Sequence, residues 1–168
     1  MKKIAILTFA FAGLLSFSAC ESDRDSNPTL QDPTSFVLNT PAYVNSVYDL
    51  TNSKSVELTC SQPDFGYTAP TIYSVEVSLT PDFAEFVELD TKYTTAKMAV
   101  DASEMALAVP DREVAQGKVE ADFPITTSLY VRVIAELASA TETIASITSN
   151  TINLQSVRTE FALPPVVL

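Results

Sequence analysis

Between Phe36 and Leu154 the apolar residues of this chain recur at every second position, and that period restricts it to half-buried β-strands. Leu129, Val131, Val133, Ala135 and Leu137 alternate with Tyr130, Arg132, Ile134 and Glu136. Tyr73, Val75, Val77 and Leu79 alternate with Ser74, Glu76 and Ser78. Val56, Leu58 and Cys60 share one face of Ser55–Cys60, and Ile152 and Leu154 share one face of 149–154. A strand turns successive side chains to opposite faces, so each run offers one apolar face to a core. Shorter candidate strands are 35–38, 47–50, 86–89 and 97–100. Turn residues separate the runs: Thr51-Asn52-Ser53, Gln62-Pro63-Asp64-Phe65-Gly66, Pro81-Asp82, and Gly117-Lys118 ahead of Phe123-Pro124. The expected fold is all-β, an antiparallel sandwich with Thr, Ser and Glu on its outer faces. One segment, Asp101–Ala108, has good helix formers behind two candidate N-caps, Asp101 and Ser103. It predicts one or two helical turns crossing between the sheets.

At 168 residues the chain suits one domain, large enough for a core without disulfide support. It has no histidine, which removes the commonest general base and every Ser-His-Asp or Cys-His scheme. Its three glycines, Gly13, Gly66 and Gly117, make no phosphate-binding loop. The formal charge is −11. Such acidity opposes both nucleic acid and an anionic lipid surface as partners.

The N-terminus reads as an address. Lys2 and Lys3 precede an apolar run from Ile4 to Phe17, and the small residues Ser18 and Ala19 lead to Cys20. This is the layout of a secretory signal, too short for a comfortable membrane span. Phe17-Ser18-Ala19-Cys20 resembles a bacterial lipobox, in which the cysteine is lipidated and becomes the first mature residue; ordinary secretion with a free Cys20 is the alternative. Residues 1–19 are thus expected to be a lipoprotein signal peptide. Their removal leaves eight basic residues against twenty-one acidic ones, a net charge of −13. Residues 20–33 are polar, acidic and without apolar periodicity, as in a flexible tether. Residues 34–157 are expected to form the sandwich. Residues 158–168 end in Leu163-Pro164-Pro165-Val166-Val167-Leu168, an apolar tail with a stiff Pro-Pro pair. They are expected to be a linker toward a C-terminal domain that a truncated chain would lack.

The ordered set Cys20-Glu21-Ser22-Asp23, Asn27-Pro28-Thr29-Leu30, Phe36-Val37-Leu38-Asn39, Asp49-Leu50, 58–66, 73–78, Asp82-Phe83, Phe123-Pro124 and 129–135 resembles the N-terminal domain of SusE-like outer-membrane lipoproteins of Bacteroidota glycan utilisation systems. The acidic stretch behind Cys20 likewise resembles a surface-export signal of such lipoproteins, with a plain solvated linker as the alternative. The resemblance implies an immunoglobulin-like or fibronectin-III-like sandwich. It also implies a surface-exposed, lipid-anchored location in the outer membrane, a SusC/SusD-like porin complex as partner, and a non-catalytic role in retaining a starch-like polysaccharide. The family's glycan-binding domains lie downstream of the segment present, so this chain would be their spacer and docking domain. At Cys60 the resemblance leads one to expect an aromatic residue; a thiol there requires other groups to fill the core. A structural or adhesive surface domain with a protein partner is the alternative function.

Sugar recognition sets aromatic faces against pyranose rings. Of the six tyrosines, Tyr67 in the Phe65–Pro70 loop is the candidate glycan contact, weighed against a loop-anchoring role. Tyr73 and Tyr130 lie on strands and read as packing residues. Asp82, Glu85, Glu88 and Asp90 fall close together but lack the spacing of a calcium loop, and read as a solvated strand edge. Cys60 faces inward on an apolar strand, which predicts an inert thiol. No cofactor, metal or catalytic residue is expected.

Overall fold

The computed structural model describes residues 29–66, 68, 70–138 and 145–162. Among them are eight strands: β1 (Val47–Asp49), β2 (Ser55–Thr59), β3 (Thr71–Ser78), β4 (Val87–Glu88), β5 (Lys97–Asp101), β6 (Ile125–Leu137), β7 (Ser146–Thr148) and β8 (Ile152–Thr159). One α-helix, α1 (Ala102–Ala115), joins β5 to a 3-10 turn and β6. The larger sheet runs β1-β8-β6-β3-β4, with β7 also on β6. All its pairings are antiparallel except β1 with β8. The smaller sheet pairs β2 with β5, and Leu38 bridges to Cys60 just past β2. The all-β sandwich expected from the alternation is therefore the observed architecture.

The two sheets meet through the residues that the period picked out. Tyr73, Val75 and Val77 of β3 and Leu129, Val131, Val133 and Ala135 of β6 join Val56, Leu58, Met98 and Val100 of the smaller sheet in one core cluster. Each fully buried side chain of this size contributes about 1.5–3 kcal/mol. Phe36 and Tyr73, with ring centroids 6.1 Å apart, belong to the same cluster as Cys60 and supply aromatic bulk to the core that holds the thiol.

Several boundaries differ from expectation, each for a physical reason. The last strand is Ile152–Thr159, not 149–154. Opposite Thr127 and Leu129 of β6 stand Val157 and Leu154 of β8, so β8 carries one extra residue there. That bulge shifts the phase of alternation, and Val157 and Thr159 continue inward after Ile152 and Leu154. Arg158 and Thr159, assigned to the linker by sequence, belong to the sheet. Phe161 also packs on the body, 5.3 Å from Phe123 in an edge-to-face pair. β7 was not anticipated; 35–38 supplies a bridge instead of a strand.

The helix is longer than the predicted one or two turns. Asp101 caps it, its carboxylate accepting from Ser103 N at 2.8 Å. Gly117 ends it at φ 100°, with Gly117 N donating to Val114 O and Lys118 N to Glu113 O, the paired bonds of a Schellman turn. Between these ends lies Pro110, which has no N–H for the carbonyl of Ala106. Thr159 Oγ1 lies 3.5 Å from that orphaned carbonyl and shares its proton between Ala106 O and Glu160 O. Thr159 itself is fully buried. The helix crosses between the sheets as expected, packing on β2, β3 and β8.

The outer face of β3 is not the solvated one expected. Ser74, Glu76 and Ser78 are buried. The 79–86 segment folds back over them, held by Ser78 Oγ, which donates to Glu85 O at 2.6 Å. Arg132 of β6 pairs with Glu76 (Nε to Oε2, 2.5 Å) and its guanidinium lies 4.2 Å from the Phe83 ring centre and 5.4 Å from that of Phe86. Phe83 adopts φ 51° to reach this position, a left-handed conformation costing roughly 1–2 kcal/mol. Stacking on a partly desolvated cation offsets it.

Replacing Thr159 by Val should lower stability by about 1–3 kcal/mol, because Ala106 O loses its donor inside the protein. In a Pro110→Ala background the restored N–H should reduce that loss, leaving the part owed to Glu160 O. Guanidinium denaturation of the four chains of this cycle measures the coupling; equal losses in both backgrounds would refute it.

Candidate functional site

The two candidate site residues taken from the sequence, Cys20 and Tyr67, lie outside the described residues. The loop that carries Tyr67 does have a described frame. Phe65 is buried against Leu137 and Ala145. Its carbonyl accepts from Gln31 N at 3.0 Å, and Gly66 N donates to Asp64 Oδ1 at 2.8 Å. Gly66 sits at φ 86°, and a Cβ built there would lie 2.1 Å from Thr29 O. Only glycine lets the incoming N-terminal segment lie this close to the loop.

Beside this loop is a depression of about 610 Å³ lined by Gln62, Asp64, Thr68, Thr71 and Thr94, with Tyr73 at its floor. Amide and hydroxyl groups of this kind suit a hydroxylated ligand. The two described aromatics nearby are spent on the core: Phe65 is 3 % exposed and Tyr73 is 2 % exposed. Tyr73 was expected to be a packing residue, and burial pushes its hydroxyl pKa up. Asp64 is the single carboxylate among the described lining residues, whereas glycoside hydrolysis takes two. A second depression, about 540 Å³, lies among Leu50, Ser53, Lys54, Ala106, Leu107 and Thr159.

The two depressions occupy opposite poles of the sandwich. Thr71, in the first, pairs with Leu137 at the end of β6, and Thr159, in the second, pairs with Ile125 at its start. The thirteen residues of β6 separate them by roughly 40 Å at about 3.3 Å per residue. Tyr43, 76 % exposed on the turn before β1, is the described tyrosine with the most open ring. Nothing in its surrounding sequence distinguished it.

The acidic group behaves as a solvated edge. Asp82 Oδ1 accepts from Thr80 Oγ1 at 2.6 Å and Ala84 N at 3.2 Å, and the Thr80 bond holds its pKa below the ordinary carboxylate value. Glu85 faces Arg112 at 3.7 Å, and Glu88 pairs with Lys92. Among the described residues no group of acids, Cys or His is arranged to hold a metal ion.

Cys60 is 8 % exposed, with Sγ 3.6 Å from Ala96 O. Burial pushes its thiol pKa up from 9.0 to about 11. The folded chain therefore keeps a proton that the unfolded chain loses between these values, so this group lowers stability as pH rises through that window. In a Cys20→Ser chain at neutral pH, Cys60 should react with a maleimide about a thousandfold or more slower than in the denatured chain, as the rarity of opening dictates. Reaction at the free-thiol rate under native conditions would contradict the buried placement.

Against known proteins, a family model described as SusE outer membrane protein matches residues 22–134. The match runs from just behind Cys20 through β1 to β5 and α1 into β6, and stops short of β7 and β8. No solved structure matches the chain. That family consists of outer membrane proteins of starch utilisation systems. With more than half of its length matched, the chain belongs to the SusE outer membrane protein family.

Proposed function

We propose that this chain is a lipid-anchored, surface-exposed, non-catalytic component of a polysaccharide utilisation system, in which the sandwich is a rigid spacer and docking domain. The polysaccharide is starch-like. Its binding modules lie downstream, and the partners are a SusC/SusD-like porin complex and the outer membrane itself. Cys20 is the lipidation site. Several acyl chains, each contributing ~0.8 kcal/mol per buried methylene, make such attachment essentially permanent.

The observation that carries the spacer role is the placement of entry and exit. The chain enters at the pole where Gln31 bonds Phe65, and β8 finishes at the opposite pole beside Ile125. A module threaded in this way inserts its full strand length between its upstream and downstream neighbours. Holding glycan-binding modules at a fixed height beside a porin raises the local polysaccharide concentration without new contacts. Further support comes from the depression beside the 62–71 loop, whose described aromatics have their rings in the core. The sandwich is of the immunoglobulin-like kind on this proposal. The order of crossings supports it: the chain passes from the smaller sheet to the larger after β2, returns for β5, and crosses again through α1 to β6.

Cys20→Ala should release the chain from the membrane fraction and abolish fatty-acid labelling; retention of the variant in the membrane would overturn lipid anchoring. Protease added to intact cells should digest the wild-type chain, and full protection would overturn surface exposure. The 20–168 segment should migrate unretarded in gels containing starch or related polysaccharides. Strong retardation of that segment would replace the spacer role with a direct binding one, and Tyr67→Ala would then test the candidate contact.

A further inference from the structure

The contact between Thr29–Gln31 and the 65–66 turn lies well ahead of the first core residue, Phe36. Gln31 N donates to Phe65 O at 3.0 Å, and Phe65 is itself pinned by Leu137 and Ala145. Thr29 O lies over Gly66, in space that any side chain at position 66 would fill. The next firm hold is at 36–38, where Phe36 is buried and Ser61 N donates to Val37 O at 2.8 Å. Thr29 stands nine positions after Cys20 and Phe36 stands sixteen. Fully stretched, nine residues reach about 30 Å and sixteen reach about 55 Å.

The pole to which the segment is held is the one with the depression among Gln62, Thr71 and Thr94. The other pole, with Ser53 and Thr159, is roughly 40 Å further along β6. With the short tether, the reach falls short of the length of the module, so the near pole stays by an anchor at Cys20 and the far pole cannot be turned down onto it. With the long tether, the reach exceeds the length of the module and either pole could approach the surface.

We infer that the Thr29–Gln31 contact with Phe65–Gly66 is a clip that shortens the tether and sets the orientation of the module, with the Gln62–Thr94 depression turned toward the membrane and the β8 exit turned outward. The orientation rests on the lipid anchoring at Cys20 proposed above; the clip itself does not. A consequence is that this depression is screened from polysaccharide arriving from the medium.

The test uses the lipidated full chain in phosphatidylcholine vesicles that carry an acceptor dye on a fraction of their headgroups. Thr94 and Ser53 are exposed, at the two poles, and each is replaced by Cys in turn and labelled with a donor dye; acylated Cys20 and buried Cys60 stay unlabelled. Transfer from Thr94→Cys should be several-fold more efficient than from Ser53→Cys. Gly66→Val should narrow the difference, and so should Gln31→Pro, which removes the donor without touching the loop. In the same chains, hydrogen exchange should show the Gln31 amide protected in wild type and released in Gly66→Val, with β6 amides protected in both. Free exchange at Gln31 in wild type, or equal transfer from both poles, overturns the clip. A wild-type chain that does not join vesicles while Gln31 stays protected overturns the anchoring, and the orientation with it, but leaves the contact standing.

Discussion

The thirteen residues of β6 hydrogen-bond to β3 on one side and to β8 and β7 on the other, while Leu129, Val131, Val133 and Ala135 enter the core beneath them. Burial of that face constrains everything adjacent. A one-residue slip would expose the apolar side chains and bury Arg132 and Glu136, so the register with β3 and β8 is fixed. The register then places Arg132 opposite Glu76 and Ile125 opposite Thr159. The ion pair under the 79–86 segment and the hydroxyl that reaches Ala106 are both consequences of how one strand is seated.

Wherever the information was local, the sequence could be read. The inward faces of β3 and β6, the Asp101 cap and the inward Cys60 all follow from period or residue type, and all stand as read. Where a distant group decides, it could not. The helix continues past Ala108 through Pro110, and Thr159, some fifty positions on, faces the carbonyl that the proline orphans. β8 outruns Leu154 because a bulge resets the alternation, and only the pairing with β6 reveals it. Glu76 looked like a solvent residue because the residues that cover it, Phe83 and Phe86, belong to a loop with no period at all. The same limit applies to function. Cys20 could be singled out from the residues around it, but the depression beside the 62–71 loop draws on Thr94, a residue that no local pattern connects to Gln62.

Family membership and geometry divide the functional question between them. Membership places the chain in the outer membrane among proteins of starch utilisation systems. The geometry concerns what this chain contributes mechanically. Three of its aspartates serve its own turns: Asp64 accepts from Gly66, Asp82 from Thr80 and Ala84, and Asp101 from Ser103. The buried carboxylate of Glu76 is neutralised by Arg132, which also lies against two phenylalanine rings. Side chains used in this way hold the turns in place.

The parallel pairing of β1 with β8 has a consequence for the proposed attachment. Val47, Tyr48 and Asp49 of β1 lie beside Ser156, Val157 and Arg158 of β8, and Asp49 adds an ion pair to Arg158 at 3.3 Å. On that proposal, drag on material held beyond β8 would pull that strand outward while the anchor, once the Thr29–Gln31 and 36–38 contacts had given way, pulled β1 the opposite way. Parallel neighbours tugged from opposite ends slide lengthwise, so their hydrogen bonds share the force instead of opening one by one like a zipper. On the proposed attachment, the patch joining β1 to β8 is thus the seam that would resist lengthwise pulling.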